Sequence, residues 1–190
     1  MLNEERARVS RYEAVIALLA VSALFVSGYT AYVQRQQVRA AVWPILEYNT
    51  NNDPSISLTL KNKGVGPAII RYVTVKVDGK PVRNWYDALQ ILIGPGDHHF
   101  TESTMSGHVL SAGETMEILE PHDADNNPLT AAKGGPDWDK MNKARMRISV
   151  EICYSSTLGD CWLYRSDGNT SSRTAETRIC PNDAATEFEQ

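Results

Sequence analysis

Residues 14–34, AVIALLAVSALFVSGYTAYVQ, run for 21 positions without a charged side chain. A helix of that length spans about 31 Å, close to the roughly 30 Å hydrocarbon layer of a bilayer. Tyr12, Tyr29 and Tyr32 lie near its ends, where amphipathic rings favour the membrane interface. A buried core helix is usually shorter and carries a polar face. The run therefore predicts a membrane-spanning helix.

A cleaved signal peptide is the alternative, because Val26 and Gly28 are small enough for the positions just before a cleavage site. However, the helical pattern continues through RQQVRAAVW and meets no breaker until Pro44. Cleavage would leave a mature chain that begins inside a helix. We therefore expect an uncleaved anchor over residues 14–34 and a helical stalk over residues 35–44.

Positive charge is distributed unevenly around the span. Three arginines precede it and two follow it: Arg6, Arg8, Arg11, Arg35 and Arg39. Positive residues favour the cytoplasmic side of a membrane. The bias predicts that residues 1–13 form a cytoplasmic tail and that the rest of the chain faces the periplasm or the cell exterior.

The composition of the whole chain is that of a globular protein. Of the 190 residues, 42% are hydrophobic and 22% are charged, which is not typical of a disordered chain. The net charge of -4 and the lack of a basic stripe argue against a nucleic-acid partner.

The pattern changes from helical to alternating near Pro44, where we place the domain boundary. Ile56, Leu58 and Leu60 alternate with polar residues, which predicts a strand with one buried face. Residues 72–77 alternate in the same way, which predicts a second strand directly before Asp78.

The dipeptide Asp78-Gly79 favours a two-residue hairpin turn, since both of its positions need positive φ. The resulting register pairs Val75 with Val82. The segment NWYDALQIL predicts one short helix that ends before Gly94.

Further strands are predicted downstream. GHVLSAGETMEIL is interpreted as a second hairpin, residues 123–140 as a long polar loop, and ARMRISVEICY with CWLYRSD as a third hairpin. Residues 171–190 are expected to form a flexible tail. Together these patterns predict a mainly β fold, an antiparallel β-sandwich of roughly seven strands over residues 45–170, with a partly open barrel as the alternative.

Two cysteines, Cys153 and Cys161, flank the turn of the third hairpin. A register that places them opposite each other also collects the bulky apolar residues of both strands on one face. Opposed strand residues have Cα separations that a disulfide accepts, so we expect a Cys153–Cys161 bond. Cys180 leaves an alternative open, because it could be free or could tie the C-terminal segment to the hairpin. A redox or zinc site would need a different spacing or more ligands.

All four histidines fall within a short stretch that also contains two aspartates, and the candidate metal ligands are His98, His99, His108, His122, Asp123 and Asp125. Polar surface positions are the simpler interpretation, because adjacent His98 and His99 would point to opposite faces of a strand. The segment DADNN has part of a calcium-loop spacing but lacks its glycine and glutamate, so only a looser calcium site stays open.

No nucleophile motif or phosphate loop accompanies these residues, so we expect neither an enzyme nor a cofactor. Within the span, Ala23, Ser27 and Ala31 form a stripe of small residues beside Gly28. Such stripes let membrane helices approach closely, which makes homo-oligomerisation through the span a further hypothesis.

Four segments, AVWPILEYN, LKNKGVGPAIIRYVTVKVDGK, GHVLSAGETMEIL and ISVEICYSSTLGDCW, occur in an order that resembles uncharacterised bacterial single-pass membrane proteins with an extracytoplasmic immunoglobulin-like β-domain. The likeness covers most of residues 40–165. It departs at Ser155, where we would expect relatives to have a further cysteine. The resemblance implies an anchor in the bacterial inner membrane and an outer β-domain, without catalytic residues.

From these features we expect a protein-binding or assembly module of an envelope complex, with unknown protein partners. The alternative is an extracytoplasmic sensor or metal-binding protein that uses the region from His98 to Asp125.

Overall fold

Helix α1 spans Leu2–Ala41 in the computed structural model, which describes residues 2–130, 134–167, 172–181 and 183–189, with side chains from Tyr12 onward. The segment Tyr12–Ala41 is long and apolar enough to cross a membrane, and none of its most apolar stretch is buried. Residues 2–41 of the expected tail, span and stalk thus belong to one helix, whereas residues 42–44 of the expected stalk are not helical. The chain divides into two units directly after it, Met1–Ala41 and Val42–Gln190.

The second unit is mainly β. In the described residues its strands are β1 (Leu46–Asn51), β2 (Ser57–Asn62), β3 (Ala68–Val77), β4 (Lys80–Val82), β5 (His99–Glu102), β6 (Val109–Leu110), β7 (Thr115–His122), β8 (Ile148–Ser155), β9 (Cys161–Ser166) and β10 (Ser172–Thr177). Its helices are α2 (Trp85–Ile93) and α3 (Pro136–Ala144), and a short 3₁₀ turn follows at Arg145–Arg147.

These strands form two antiparallel sheets. The first has the order β1-β2-β7-β5, and the second has the order β10-β9-β8-β3-β4 with β6 also paired to β3. Buried side chains from both sheets and from α2 form one hydrophobic core. A hydrogen bond also links the sheets, because the backbone N–H of Tyr48 on β1 donates to the hydroxyl of Tyr164 on β9 at 2.9 Å.

Several local predictions are confirmed. Ile56, Leu58 and Leu60 are fully buried, as their alternation predicts. Asp78 and Gly79 both have positive φ, 51° and 76°, and form the turn between β3 and β4.

That turn sets Val75 opposite Val82. The predicted short helix is α2, whose first turn is capped by Asn84: its side-chain oxygen accepts the N–H of Asp87 at 2.8 Å.

The predicted second hairpin is wrong. Strand β6 pairs with β3, whereas β7 pairs with β2 and β5, so the two segments belong to different sheets. The turn near Gly113 carries the chain from one sheet to the other, and alternation on each side of a glycine cannot distinguish this crossing from a hairpin.

The predicted long polar loop is also shorter than expected, because α3 begins at Pro136 and buries Met141 and Ala144. Residues 131–133 of that loop lie outside the described part of the chain.

Asn62 is a buried polar residue that holds three segments together. Its amide nitrogen donates to the carbonyls of Gly66 and Leu110 at 2.8 and 3.0 Å. Its amide oxygen accepts the N–H groups of Gly64 and Ile45 at 2.9 and 3.2 Å. The two donor hydrogens and the oxygen of the amide are all used in these bonds. The side chain therefore fixes the turn that contains Gly64 and Gly66.

The glycines of the predicted KNKGVGPA turn have a steric role. A Cβ on Gly66 would lie 2.2 Å from the carbonyl oxygen of Val42, and one on Gly64 would lie 2.3 Å from that of Trp43. The turn therefore needs glycine because another backbone segment approaches it closely.

The third hairpin is confirmed, but the predicted Cys153–Cys161 disulfide is wrong. Ser155 faces Cys161, and Cys153 faces Leu163. The two cysteines are therefore diagonal neighbours on one face, and diagonal Cα atoms are roughly 7–8 Å apart, too far for a disulfide. Cys153 instead bonds to Cys180 across a Cα separation of 5.6 Å, which leaves Cys161 as a free thiol.

The C-terminal segment, expected to be a flexible tail, is integrated into the fold in its described part. Strand β10 pairs with β9 along its length. Further on, Phe188 is 2% exposed, its ring packs edge-on against Trp85, and its N–H donates to the carbonyl of Val73 on β3. Residues 168–171, 182 and 190 of the predicted domain and tail lie outside the described part.

Candidate functional site

A groove of about 350 Å³ lies in the second unit, beside α2, α3 and the paired ends of β5 and β7. Apolar residues and ionisable residues both line it: Leu89, Ile93, Pro95, Gly96, Asp97, His98, His99, Pro121, His122, Ala124, Leu129, Asp137 and Lys140. Its volume lies near the lower end of the roughly 300–1,000 Å³ that ligand pockets have, but its lining is more polar than the predominantly apolar lining of such pockets. We call this feature the histidine groove.

The loop after α2 positions the first histidine. Gly94, with φ of 103°, ends the helix, and the side chain of Gln90 fixes the loop through two hydrogen bonds to the backbone of Gly96. The Nε2 atom of His98 lies 2.8 Å from the carbonyl of Gly94. A carbonyl only accepts, so this nitrogen carries the proton.

His98 precedes β5, which begins at His99. The two residues are therefore not consecutive strand positions. The expectation that their side chains point to opposite faces of a strand does not apply to them. Both line the histidine groove.

A bulge in β7 determines which of its side chains face away from the core. Leu58 faces Leu119 but Thr59 faces Glu117, so Ile118 is an extra residue in β7. After the bulge, Leu119 and Pro121 are buried, while Glu120 and His122 occupy the opposite face.

His99 and His122 are directly opposed on β5 and β7. Opposed residues of an antiparallel pair have Cβ atoms about 4.5–5.5 Å apart on the same face. Next along β7, the Oε2 atom of Glu120 lies 3.4 Å from Nε2 of His122, and its Oε1 atom accepts a hydrogen bond from Ser55 at 2.9 Å.

Negative charge accumulates on this face. Burial, together with the negative charge of Glu120, raises the pKa of Glu117, although His122 acts in the opposite direction. The negative charge of Glu120 thus disfavours a second negative charge on Glu117.

Of the two candidate aspartates, Asp123 has a local structural role, and Asp125 belongs to the turn that the side chain of Asp123 organises. The Oδ1 atom of Asp123 accepts the N–H groups of Asp125 and Asn127 at 3.0 and 2.9 Å. Asn126 adopts a left-handed φ of 61° in the same turn. DADNN is thus an Asx turn, the type of turn in which an aspartate side chain bonds the backbone two residues further on.

The structure does not bring all the candidate ligands together. His108 does not line the groove, and its Nε2 atom is 3.9 Å from Glu114. Among the side chains that the structure describes, no three from His, Cys, Asp and Glu surround a common point as metal ligands would. Sequence reasoning missed Glu120, although its spacing of two from His122 in an alternating segment is a usable signal.

The stripe Ala23, Ser27 and Ala31 lies on α1, and all three side chains are exposed. The neighbouring hydroxyls of Ser22 and Thr30 donate to backbone carbonyls one turn earlier, both at 2.8 Å. Their polarity is therefore satisfied within the helix, as an apolar environment requires.

Comparisons with protein-family models, with curated proteins and with solved structures find no match. The resemblance to bacterial single-pass proteins with an immunoglobulin-like domain therefore stays an expectation that rests on the sequence motifs.

Proposed function

We propose that this chain is a single-pass protein of the bacterial inner membrane whose outer β-domain binds a protein partner within an envelope complex. The observation that carries the proposal is α1. From Tyr12 onward none of its apolar side chains is buried in the structure, and it is followed by a β unit with a separate core. A long exposed apolar helix is unfavourable in water, and a bilayer would cover it.

The disulfide supports a location of the β unit outside the cytoplasm. Cys153 and Cys180 are within bonding distance. Disulfides persist in oxidising compartments and are rare in the cytosol. The arginine bias around the span favours the same orientation.

Two antiparallel sheets around one core support the immunoglobulin-like sandwich implied by the resemblance. Such folds carry many functions, so the binding role must be argued from a surface.

The surface that we assign to the partner is the histidine groove with the neighbouring exposed face of α2. Tyr86 and Ile91 are 46% and 50% exposed on that helix, whereas Leu89 and Ile93 line the groove. Apolar side chains beside a concave site with a polar rim are typical of protein contacts, in which one partner side chain fills the pocket.

Site-specific crosslinking in intact cells tests this assignment. A photoreactive amino acid replaces Ile91, and in a matched control it replaces Leu158, which is 51% exposed on the turn between β8 and β9. We expect a discrete envelope-protein adduct from position 91 that position 158 does not give. Identical adducts at both positions, or none at position 91, would contradict the assignment.

Self-association of the span is tested separately. Ser27→Leu should weaken the signal in a membrane two-hybrid assay, because it places a large side chain in the stripe of small residues and keeps the helices apart. Ser22→Leu is the matched control, since Ser22 lies on a different side of α1. Equal signals from the two variants would remove the argument for homo-oligomers.

A further inference from the structure

We propose that Trp43, Ile45 and Val65 form an apolar tip of the β unit that contacts the lipid headgroups of the membrane in which α1 is anchored. The proposal rests on the proposed membrane anchor and adds a second contact between the chain and the lipid. The tip belongs to the second unit alone, and its role is independent of the histidine groove.

Backbone hydrogen bonds hold the two segments of the tip together. The N–H of Lys63 donates to the carbonyl of Ile45 at 2.7 Å, and the N–H of Val65 donates to the carbonyl of Trp43 at 3.0 Å. These bonds continue the antiparallel register of β1 and β2 beyond the first residue of β1 and the last residue of β2. Trp43 is therefore opposite Val65, and Ile45 is the next residue on the same face.

The three side chains of the tip face away from the core. Trp43, Ile45 and Val65 are 49%, 40% and 65% exposed, whereas the alternate positions Pro44 and Leu46 are buried. Three large apolar side chains thus lie together on one outward face. An exposed apolar cluster of this kind marks a surface that contacts a protein or a membrane.

Charged side chains begin one step further along β1. Glu47 follows Ile45 on the outward face, and Lys61 is opposite Glu47. Lys63, which is level with Ile45, forms an ion pair with Glu47, so its ammonium group is directed away from the tip. The face is therefore apolar where β1 begins and charged further along the strand. This order suits a membrane interface, where the ring of Trp43 is favoured and charged groups remain in water.

The place of the tip in the chain favours lipid as its occupant. Helix α1 ends at Ala41, two residues before Trp43, and the apolar run ends at Gln34. From Gln34 to Trp43 the chain spans at most about 18 Å, even with the helix upright and the last two residues extended. Headgroups fill roughly the first 5–7 Å of that distance, and a helix tilt of about 20° lowers the tip toward them. The short tether therefore keeps the headgroups at a high effective concentration beside the tip.

The test is quenching of tryptophan fluorescence in the full-length protein, reconstituted into phosphatidylcholine vesicles with and without a lipid that carries a nitroxide on its headgroup. Of the four tryptophans, Trp43 is exposed, Trp138 and Trp162 are half-buried, and Trp85 is buried. We expect the nitroxide lipid to quench the wild type, and we expect Trp43→Phe to reduce the quenched fraction at least twofold.

A charge in the tip gives a second readout. Val65→Asp should also reduce the quenched fraction at least twofold, because a carboxylate opposite Trp43 makes the lipid contact unfavourable. Ile91→Asp is the matched control, since this side chain is 50% exposed on α2 and lies outside the tip, and it should leave the quenching unchanged. Melting temperatures in detergent, compared with the wild type, verify that each variant is folded.

Flotation of the vesicles after an alkaline wash separates this proposal from the anchor. Protein that does not float would overturn the anchor and the lipid contact together. Floating protein that is quenched equally in the wild type and in Trp43→Phe would overturn the lipid contact alone and leave a protein partner as the occupant of the tip. Equal effects of Val65→Asp and Ile91→Asp would overturn it in the same way.

Discussion

The Cys153–Cys180 bond gives the most quantitative prediction. It closes a loop with a sequence separation of 27. In the chain-entropy model, closure of a loop of this size stabilises the folded state by about 3.5 kcal/mol at 25 °C. Because the bond also secures the chain between β10 and the buried Phe188, its removal should loosen the C-terminal segment first.

The perturbation is Cys180→Ser, and the assay is urea denaturation of purified protein followed by tryptophan fluorescence. We expect the free energy of unfolding to fall by about 3 to 4 kcal/mol. Cys161→Ser is the matched control, which should change it by less than about 0.5 kcal/mol because this thiol is unpaired and only half-buried.

Two results would refute the reasoning. One is a Cys161→Ser variant that is destabilised as strongly as Cys180→Ser, which would restore Cys161 as the bonded partner. The other is an unchanged unfolding free energy for Cys180→Ser under oxidising conditions.

Three other predictions concern single side chains. Asn62→Ala should lower the unfolding free energy by about 3 kcal/mol or more, since it leaves buried backbone groups unpaired, and chemical denaturation measures it. Phe188→Ala should cost about 3 to 5 kcal/mol and expose Trp85, which a red shift in tryptophan emission would report. The hydrogen bond from Arg147 lowers the pKa of Asp78, so its stabilisation is complete above the unfolded pKa and is lost as pH falls through the folded pKa. Asp78→Asn should therefore be less stable than wild type at neutral pH, and the difference should vanish in acid melts; a constant difference would contradict this cause.

Local signals in the sequence predict local structure well. Asp78-Gly79 determines a turn because few residues tolerate its positive φ values, and the strand register follows from that turn. Likewise, the short helix after Asn84 has both a capping residue and a terminal glycine. In these cases the deciding contacts lie within a few residues along the chain.

The prediction of the second hairpin is wrong because the pairing of its strands depends on contacts between residues that are distant along the chain. Leu110 and Met116 are close in sequence but enter different sheets, because they face Ala68 and Leu60 on their neighbouring strands. The disulfide fails for a related reason. A shift of the hairpin register by two keeps every side chain on its face, so hydrophobic sorting could not determine which cysteines were opposed.

The candidate site could be predicted in part. The clustering of histidines along the chain indicated the region, and His98, His99 and His122 do line one groove. Alternation places Glu120 and His122 on one face of β7, but the bulge at Ile118, which turns that face away from the core, has no local signal. Signals for α3 were present, with Pro136 at its start and an acidic first turn, but its polar composition concealed them.

The measurement that tests the central claim most directly is thiol labelling of intact cells, followed by peptide mapping. A membrane-impermeant maleimide should modify Cys161 without reduction, while Cys153 and Cys180 should react only after denaturation and reduction. That result would place the β unit outside the cytoplasm with the disulfide formed. Labelling of all three cysteines only by a membrane-permeant reagent, without reduction, would show the opposite orientation and contradict the account.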